Sequence, residues 1–376
     1  MFVTATSELV VSGILNIIAD DLRITIALTG QLITVYSIAL AIGTPFLVSV
    51  TSRIGRKKVL ICSLVVFIVG CLISFWSAQY SVLLFARVVS GIAAGVFNVV
   101  AFSSAAKLVP PEKLGGAIGT IILGFSTAML LGVPIGITIT KWLHWQSIFL
   151  ILGIISFLIL LGIMIFLPDI EGDAPISFKQ QFTVLRNPIV ISGLLVSFFW
   201  GAGNSVAQTY LTPYLQTILH MTTSYIGAFM LIIGIFGIIG SRLGGYGVDK
   251  WGTVRVISIG LAVQAVSLAF VPVFASIIAV ELILITICMC SMFVTAPAVQ
   301  TYIIQQAPQS ANLLLGLNTP ISHLGLAVGA GLGGLIVTAT SSVVYNPWVA
   351  SSVIALGLMT ASISFSLSKS KGSIKA

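Results

Sequence analysis

Four ionisable side chains stand inside long apolar stretches of this chain: Glu8, Arg87, Glu281 and His323. Charge within hydrocarbon is expensive and is usually retained for a function. A low dielectric favours the neutral form of a carboxyl, and a neighbouring cation reverses that preference. A carboxyl held between these two influences can take up a proton and give it back. Glu8 is the expected carrier of such a proton. The plainer alternative is a carboxyl that stays protonated and hydrogen-bonds a neighbouring helix. Arg87 keeps its proton in practice, so it needs an acceptor or water. Two readings of Arg87 stand level: it tunes a carboxyl such as Glu8, or it ties helices together through backbone carbonyls. Glu281 falls near the start of an apolar run that begins at 276, roughly 8 Å from the end at 1.5 Å per residue. It is expected to be solvated or interfacial. His323 sits mid-run, where a proton relay and a neutral histidine making one hydrogen bond are both open.

A second set of residues has the chemistry of a weakly polar pocket. Trp200, Asn204 and Gln208 are spaced i, i+4, i+8 and share a helical face. Aromatic and amide groups suit a flat, neutral or weakly polar organic molecule. Tyr36, Asn98, Asn318 and His323 are candidate substrate contacts from other walls. Arg87, Gly91, Gly95 and Asn98 fall within about 80° of arc on one helix. Helix–helix hydrogen bonding is the competing use for each of these polar groups. No Gly-Lys dipeptide occurs, so a phosphate loop of the G-K-[ST] type is excluded. The 3 histidines are scattered, and Cys62, Cys71, Cys288 and Cys290 lie in apolar runs. Neither a metal, a cofactor nor a disulfide framework is expected. An intramembrane enzyme would need a nucleophile–base pair or a metal cluster at depth, and the sequence supplies no such grouping.

The composition says what must position these residues. Of the 376 residues, 58% are hydrophobic and only 7% charged, with a mean hydropathy of +1.16. Soluble domains carry about 25% charged residues. The polar skin of a soluble globule cannot be built from this sequence, and a polytopic membrane protein is what remains. A bilayer-spanning helix uses about 20 apolar residues. The apolar runs predict an all-α membrane protein with twelve transmembrane helices: 1–18, 30–50, 59–78, 82–105, 116–140, 147–167, 189–211, 224–243, 254–272, 276–298, 313–338 and 347–367. Lys and Arg set the orientation. One side holds fourteen of them, including Arg53, Arg56, Lys57, Lys58, Lys107, Arg242, Lys250 and Arg255, and the other holds only Arg23 and Lys141. That asymmetry predicts a cytoplasmic C-terminus in a bacterial plasma membrane. It also makes the net charge of +8 a topological signal, so nucleic acid is not an expected partner. Trp76, Trp142, Trp145 and Trp348 fall at span ends and read as an aromatic belt.

The chain repeats itself. A shift of 197 residues superposes Gly30 on Gly227, Gly43 on Gly240, Gly55 on Gly252, Pro111 on Pro308, Gly119 on Gly316, Gly132 on Gly329 and Gly136 on Gly333. The same shift brings Arg53 onto Lys250. Six spans per repeat make the two halves parallel, an architecture typical of transporters. The expected organisation is a first six-helix bundle over 1–167, a cytoplasmic linker over 168–188, and a second six-helix bundle with a short basic tail over 189–376.

Several motifs resemble those of a known family. Ser52-Arg53-Ile54-Gly55-Arg56-Lys57-Lys58 and Gly245-Tyr246-Gly247-Val248-Asp249-Lys250-Trp251-Gly252 resemble the loop signature G-x-x-x-D-R/K-x-G-R-K of the major facilitator superfamily. The first copy has Val48 and Ser52 where the signature has Gly and Asp, whereas the second keeps both. Arg87-Val88-Val89-Ser90-Gly91 looks like the family's R-x-x-x-G. Gly132-Val133-Pro134-Ile135-Gly136 resembles the antiporter motif of its proton-driven drug exporters, in the form seen in the purine- and arabinose-efflux-like branch. Glu8, Gly13 and Leu15 match that branch's T/V-E-x-x-x-x-G-x-L-P, with Asn16 in the place of the proline. The resemblance implies the major facilitator fold, two pseudo-symmetric six-helix bundles around a central cavity. It also implies a monomeric secondary transporter that exports a small organic molecule (drug-like, a purine or nucleoside, or a sugar) in exchange for protons. A uniporter or a proton-coupled importer would share the fold, and a membrane sensor would carry a sizeable soluble output domain. Gly329-Ala330-Gly331-Leu332-Gly333-Gly334 satisfies G-x-G-x-x-G but follows no strand, so a helix-packing seam is expected there and dinucleotide binding is not.

Overall fold

A computed structural model describes the chain apart from residues 109–120, 122–123, 126, 173–186, 307–310 and 371–376. Most of the expected linker, the first part of the expected fifth span, and Pro111, Gly119 and Pro308 of the repeat lie outside the described residues. The described residues are helical throughout, with no strand among them. Ten helices are long and apolar enough to cross a membrane, and a bent pair makes an eleventh. The described part of the expected fifth span is the shorter apolar helix Leu130–Ile139. The chain divides into two compact units, Met1–Phe178 and Lys179–Ala376.

In the first unit, α1 (Phe2–Gly13) and α2 (Leu15–Leu22) replace the single helix expected over 1–18. The chain bends by 67° between them, at Ile14. The bend forms with Asn16 in place of the motif's proline. Then come α3 (Ile26–Thr51), α4 (Arg56–Trp76) and α5 (Tyr80–Leu108). Thr25 caps α3 by accepting from the Leu28 amide at 3.2 Å. A π-helical turn, Ala128–Gly132, leads into α6 (Val133–Ile139), and α7 (Ser147–Phe166) closes the unit. Pro134 lacks an N–H, and it stands just after the widened turn.

Glycines of the expected antiporter motif form a seam with α1. A Cβ on Gly132 would lie 2.5 Å from Thr6 Oγ1, and one on Gly136 would collide with the Val10 side chain. From the other side, a Cβ on Gly13 would lie 2.6 Å from Val133 Cγ1. Such close approach is what small residues provide where helices have no hydrophobic drive to associate. On the far side of the unit, Leu60, Leu64, Phe97 and Leu160 fill the core between α4, α5 and α7.

The second unit runs through α8 (Pro188–Thr209), α9 (Leu211–Thr217), α10 (Thr223–Trp251), α11 (Thr253–Phe270), a short 3₁₀ turn Pro272–Phe274, α12 (Ile278–Gln306), α13 (Ala311–Thr340) and α14 (Asn346–Ser370). The interruption at Tyr210 between α8 and α9 falls one repeat length from Gly13, beside the break in the first unit. The glycine pairs also perform equivalent work. Gly43 on α3 meets Ile92 of α5, with a would-be Cβ 2.7 Å away, and Gly240 on α10 meets the Cys290 carbonyl of α12 at 2.5 Å. Gly329 and Gly333 of α13 press on α8 at the Ala202 carbonyl and the Tyr210 ring, as Gly132 and Gly136 press on α1. The G-x-G-x-x-G stretch is therefore a packing seam.

Three expectations need correction. The second signature copy is not a loop: α10 continues through Gly245, Asp249 and Lys250 to Trp251, and Gly252, at φ +80°, ends it in a conformation that favours glycine. Trp145 is no belt residue, being 2% exposed with its indole N–H donated to Asp21 Oδ2 at 2.8 Å, whereas Trp76 and Trp142 are widely exposed. Glu281 is not solvated: it is fully buried.

Candidate functional site

In the first unit the polar residues converge on the inner turns of α1. Glu8 is buried, at mid-helix, between Thr4 and Ser12 in steps of one turn. Arg87, from α5, is 1% exposed. One terminal nitrogen donates to the Ser7 carbonyl at 2.9 Å and, more loosely, to Ser7 Oγ at 3.4 Å; the other donates to Ser74 Oγ of α4 at 3.4 Å. The guanidinium carbon lies 4.6 Å from the centre of the Phe149 ring and 5.7 Å from that of Tyr36. A buried cation is thus held by dipoles and two ring faces, interactions that reach about 2 kcal/mol each when desolvated. Glu8, Tyr36 and Arg87 lie within electrostatic reach of one another.

Tyr36 and Asn98 join the same cluster through Thr4. Tyr36 donates its hydroxyl to the Thr4 carbonyl at 3.3 Å, and Thr4 Oγ1 donates to Asn98 Oδ1 at 3.1 Å. Gly91 lets this happen, since a Cβ there would sit 2.5 Å from the Tyr36 carbonyl. The face shared by Arg87, Gly91, Gly95 and Asn98 therefore looks onto α1 and α3. Thr4, Ser7 and Ser74 were not singled out by the sequence. Thr4 stands one turn before Glu8 and Ser7 directly before it, which is the only signal that could have found them.

In the second unit, α8 carries Trp200, Asn204 and Gln208 on one face as expected. Asn204 donates to the Trp200 carbonyl at 2.7 Å, and Gln208 donates to Met292 Sδ of α12 at 2.6 Å. The Trp200 indole nitrogen and Asn318 Oδ1 have no hydrogen-bond partner among the described residues. Asn318 is 2% exposed, and His323 lies one and a half turns further along α13, partly exposed. Near the start of α12, Glu281 accepts a hydrogen bond from the Tyr214 hydroxyl of α9. Counting along α12 alone could not show this partner, which comes from α9.

The signature residues lie elsewhere. Arg53 is exposed, Gly55 precedes the first residue of α4, and Arg56 is buried with its amide donated to the Ile170 carbonyl at 2.9 Å. Asp249 and Lys250 are exposed, and Lys250 stacks over the Tyr246 ring 5.4 Å from its centre. No group of three or more His, Cys, Asp or Glu side chains among the described residues could hold a metal ion.

Comparison with known proteins agrees with this arrangement. The chain is 34% identical over 362 residues to the uncharacterized MFS-type transporter YbcL of Bacillus subtilis, covering 96% of this chain and 92% of that one. It is 27% identical over 363 residues to the inner membrane transport protein YdhP of Escherichia coli K12, covering 95% and 92%. In fold it is similar to a crystal structure of a D-xylose–proton symporter, with a TM-score of 0.79 at 15% identity over 96% of this chain and 94% of that one. The human organic anion transporter MFSD10 is similar at a TM-score of 0.70 and 16% identity, over 93% and 89%. The sequence profile of the Major Facilitator Superfamily matches residues 1–330. Two glycine-seamed helical units with buried polar clusters, in a chain with this hydropathy and these relatives, make one conclusion: the chain belongs to the Major Facilitator Superfamily and is a multi-pass membrane transporter, not an enzyme.

Proposed function

We propose that the protein is a proton-coupled exporter of a small organic molecule, working by alternating access in the plasma membrane. Glu8 takes up and releases the proton. Arg87 tunes it, both by charge and by gripping the turn of α1 on which Glu8 sits. The observation that carries this reading is the burial of both groups on packed helices, with the Arg87 guanidinium bonded to the carbonyl one residue before Glu8. A buried carboxyl near a fixed cation is poised between its two charge states.

Tyr36 and Asn98 in the first half, and Trp200, Asn204, Gln208, Asn318 and His323 in the second, supply the substrate contacts. Their chemistry favours a flat, weakly polar compound: drug-like, a purine or nucleoside, or a sugar. The close packing of Gly132 and Gly136 against Thr6 and Val10 of α1 supports exchange over simple leak, since it seals that face of the helix that carries Glu8. The C-terminus faces the cytoplasm on the distribution of Lys and Arg. Transport into inverted vesicles with an imposed pH gradient, over a panel of these compounds, tests direction, coupling and substrate class together. Unchanged accumulation after the gradient is collapsed would sink the proposal.

A further inference from the structure

One buried ionisable group remains outside this scheme. Glu281 lies in the first turn of α12 with no exposed surface. Its Oε1 accepts from the Tyr214 hydroxyl, and its Oε2 has no hydrogen-bond partner among the described residues. Beside Tyr214 is a cavity of about 20 Å³, lined by Tyr210, Ile285, Cys288 and Asn346 as well. That volume suffices for one water, which requires somewhat more than about 10 Å³. Asn346 is 2% exposed, and both its side-chain oxygen and its nitrogen are without partners among the described residues. An amide lining a water-sized space with four bonding positions unused is a polar group aimed at a small polar guest.

The side-chain partner that the described residues give Glu281 is the Tyr214 hydroxyl. Arg255 stands in the first turn of α11, at the opposite end from the 3₁₀ turn Pro272–Phe274, and Arg242, Asp249 and Lys250 lie on α10. The titratable groups lining the cavity are the Tyr214 and Tyr210 phenols, from α9 and the residue before it, and the Cys288 thiol of α12. Neither the 3₁₀ turn Pro272–Phe274 nor the cavity-lining end of α11 at Leu268 brings a charge.

We propose that Glu281 and Tyr214 form a second proton-binding site, in the second half of the chain, beside the small cavity that Tyr214 and Asn346 line. The proton arrives from water and forms an O–H bond at Oε2, while Oε1 goes on accepting from Tyr214. The carboxylate charge is cancelled, nothing else is bonded or broken, and release is the reverse. Sodium is the competing occupant of such a carboxylate, and indifference of the label to sodium separates the two. The part this site plays in transport rests on the proton-exchange reading above, but the binding of the proton does not.

The test is labelling of the purified full-length protein with dicyclohexylcarbodiimide, which reacts with protonated carboxyls in apolar surroundings, mapped by peptide mass spectrometry across a pH series. The expected result is label on Glu281 that falls about tenfold per pH unit above a midpoint and is indifferent to sodium. Tyr214→Phe, which keeps the ring and removes only the hydroxyl, should displace that midpoint. Glu281→Gln should lose the label at that peptide. Glu8→Gln should leave the labelling of Glu281 unchanged, so failure of proton exchange at Glu8 is read separately. Absence of label on Glu281, a label independent of pH, an unmoved midpoint in Tyr214→Phe, or protection by sodium would each overturn the proposal.

Discussion

The Arg87 guanidinium donates to the backbone carbonyl of Ser7 at 2.9 Å. A side chain of the fifth helix thereby holds the turn of α1 that presents Glu8. Charge and position are coupled: a shift of Glu8 along α1 must stretch a bond to a cation that has no solvent to fall back on. Hydrogen bonds to charged groups contribute about 1.5–3 kcal/mol. Replacing Arg87 by Lys keeps the charge and loses the planar fork that reaches Ser7 and Ser74 together. Transport driven by a pH gradient should fall by about tenfold or more, given the loss of one such bond. Unaltered coupling in Arg87→Lys vesicles would favour a purely structural arginine.

Glu8→Gln preserves shape and one hydrogen-bonding oxygen but cannot carry a proton. Accumulation against a gradient should vanish in this variant. Exchange of labelled for unlabelled substrate, with no gradient imposed, should persist. Measuring both in the same vesicles separates loss of coupling from loss of fold. Full proton-driven export in Glu8→Gln would remove Glu8 from the mechanism.

Gly136 and Gly245 make a matched pair for stability. A methyl at Gly136 meets Val10, whereas one at Gly245 meets nothing within 4 Å. Gly136→Ala should destabilise by about 1–3 kcal/mol through overpacking. Gly245→Ala should stabilise by roughly 0.5–1 kcal/mol, because alanine orders a helix more cheaply than glycine where the added methyl has open space. Thermal unfolding followed by tryptophan fluorescence in detergent reads both, and opposite signs are the expected outcome.

Asn204→Leu combined with Gln208→Leu removes two amides from the polar face of α8. With each hydrogen bond worth about 0.5–1.5 kcal/mol net, the affinity of a transported compound should drop about tenfold. The Michaelis constant across the compound panel is the measurement. If no substrate responds, these amides belong to helix packing alone.

Much of this was legible in order of residues. Apolar length located the spans, because hydrocarbon demands it. The glycine offset of 197 was visible too, and its meaning survives in space: Gly43 and Gly240, or Gly132 and Gly329, meet equivalent partners. What could not be read was which distant segment covers a given residue. Glu281 read as solvated by counting from its own helix end, yet it is buried and bonded to Tyr214, 67 residues earlier. Trp145 sat at a span end by count, and Asp21 of another segment draws its indole inward. The break at Ile14 escaped for a different reason. Neither glycine nor proline occupies position 14, and its φ of −117° and ψ of 20° are open to any residue.

The notches at Gly13, Gly132 and Gly136 have one more implication. Thr6, Val10 and Val133 are keyed into them from alternate sides. Neither helix can slide along the other without first unseating a side chain from its slot. Glu8 therefore rides on a two-helix unit, and on the proposed mechanism any movement that takes it towards water carries that pair as one piece.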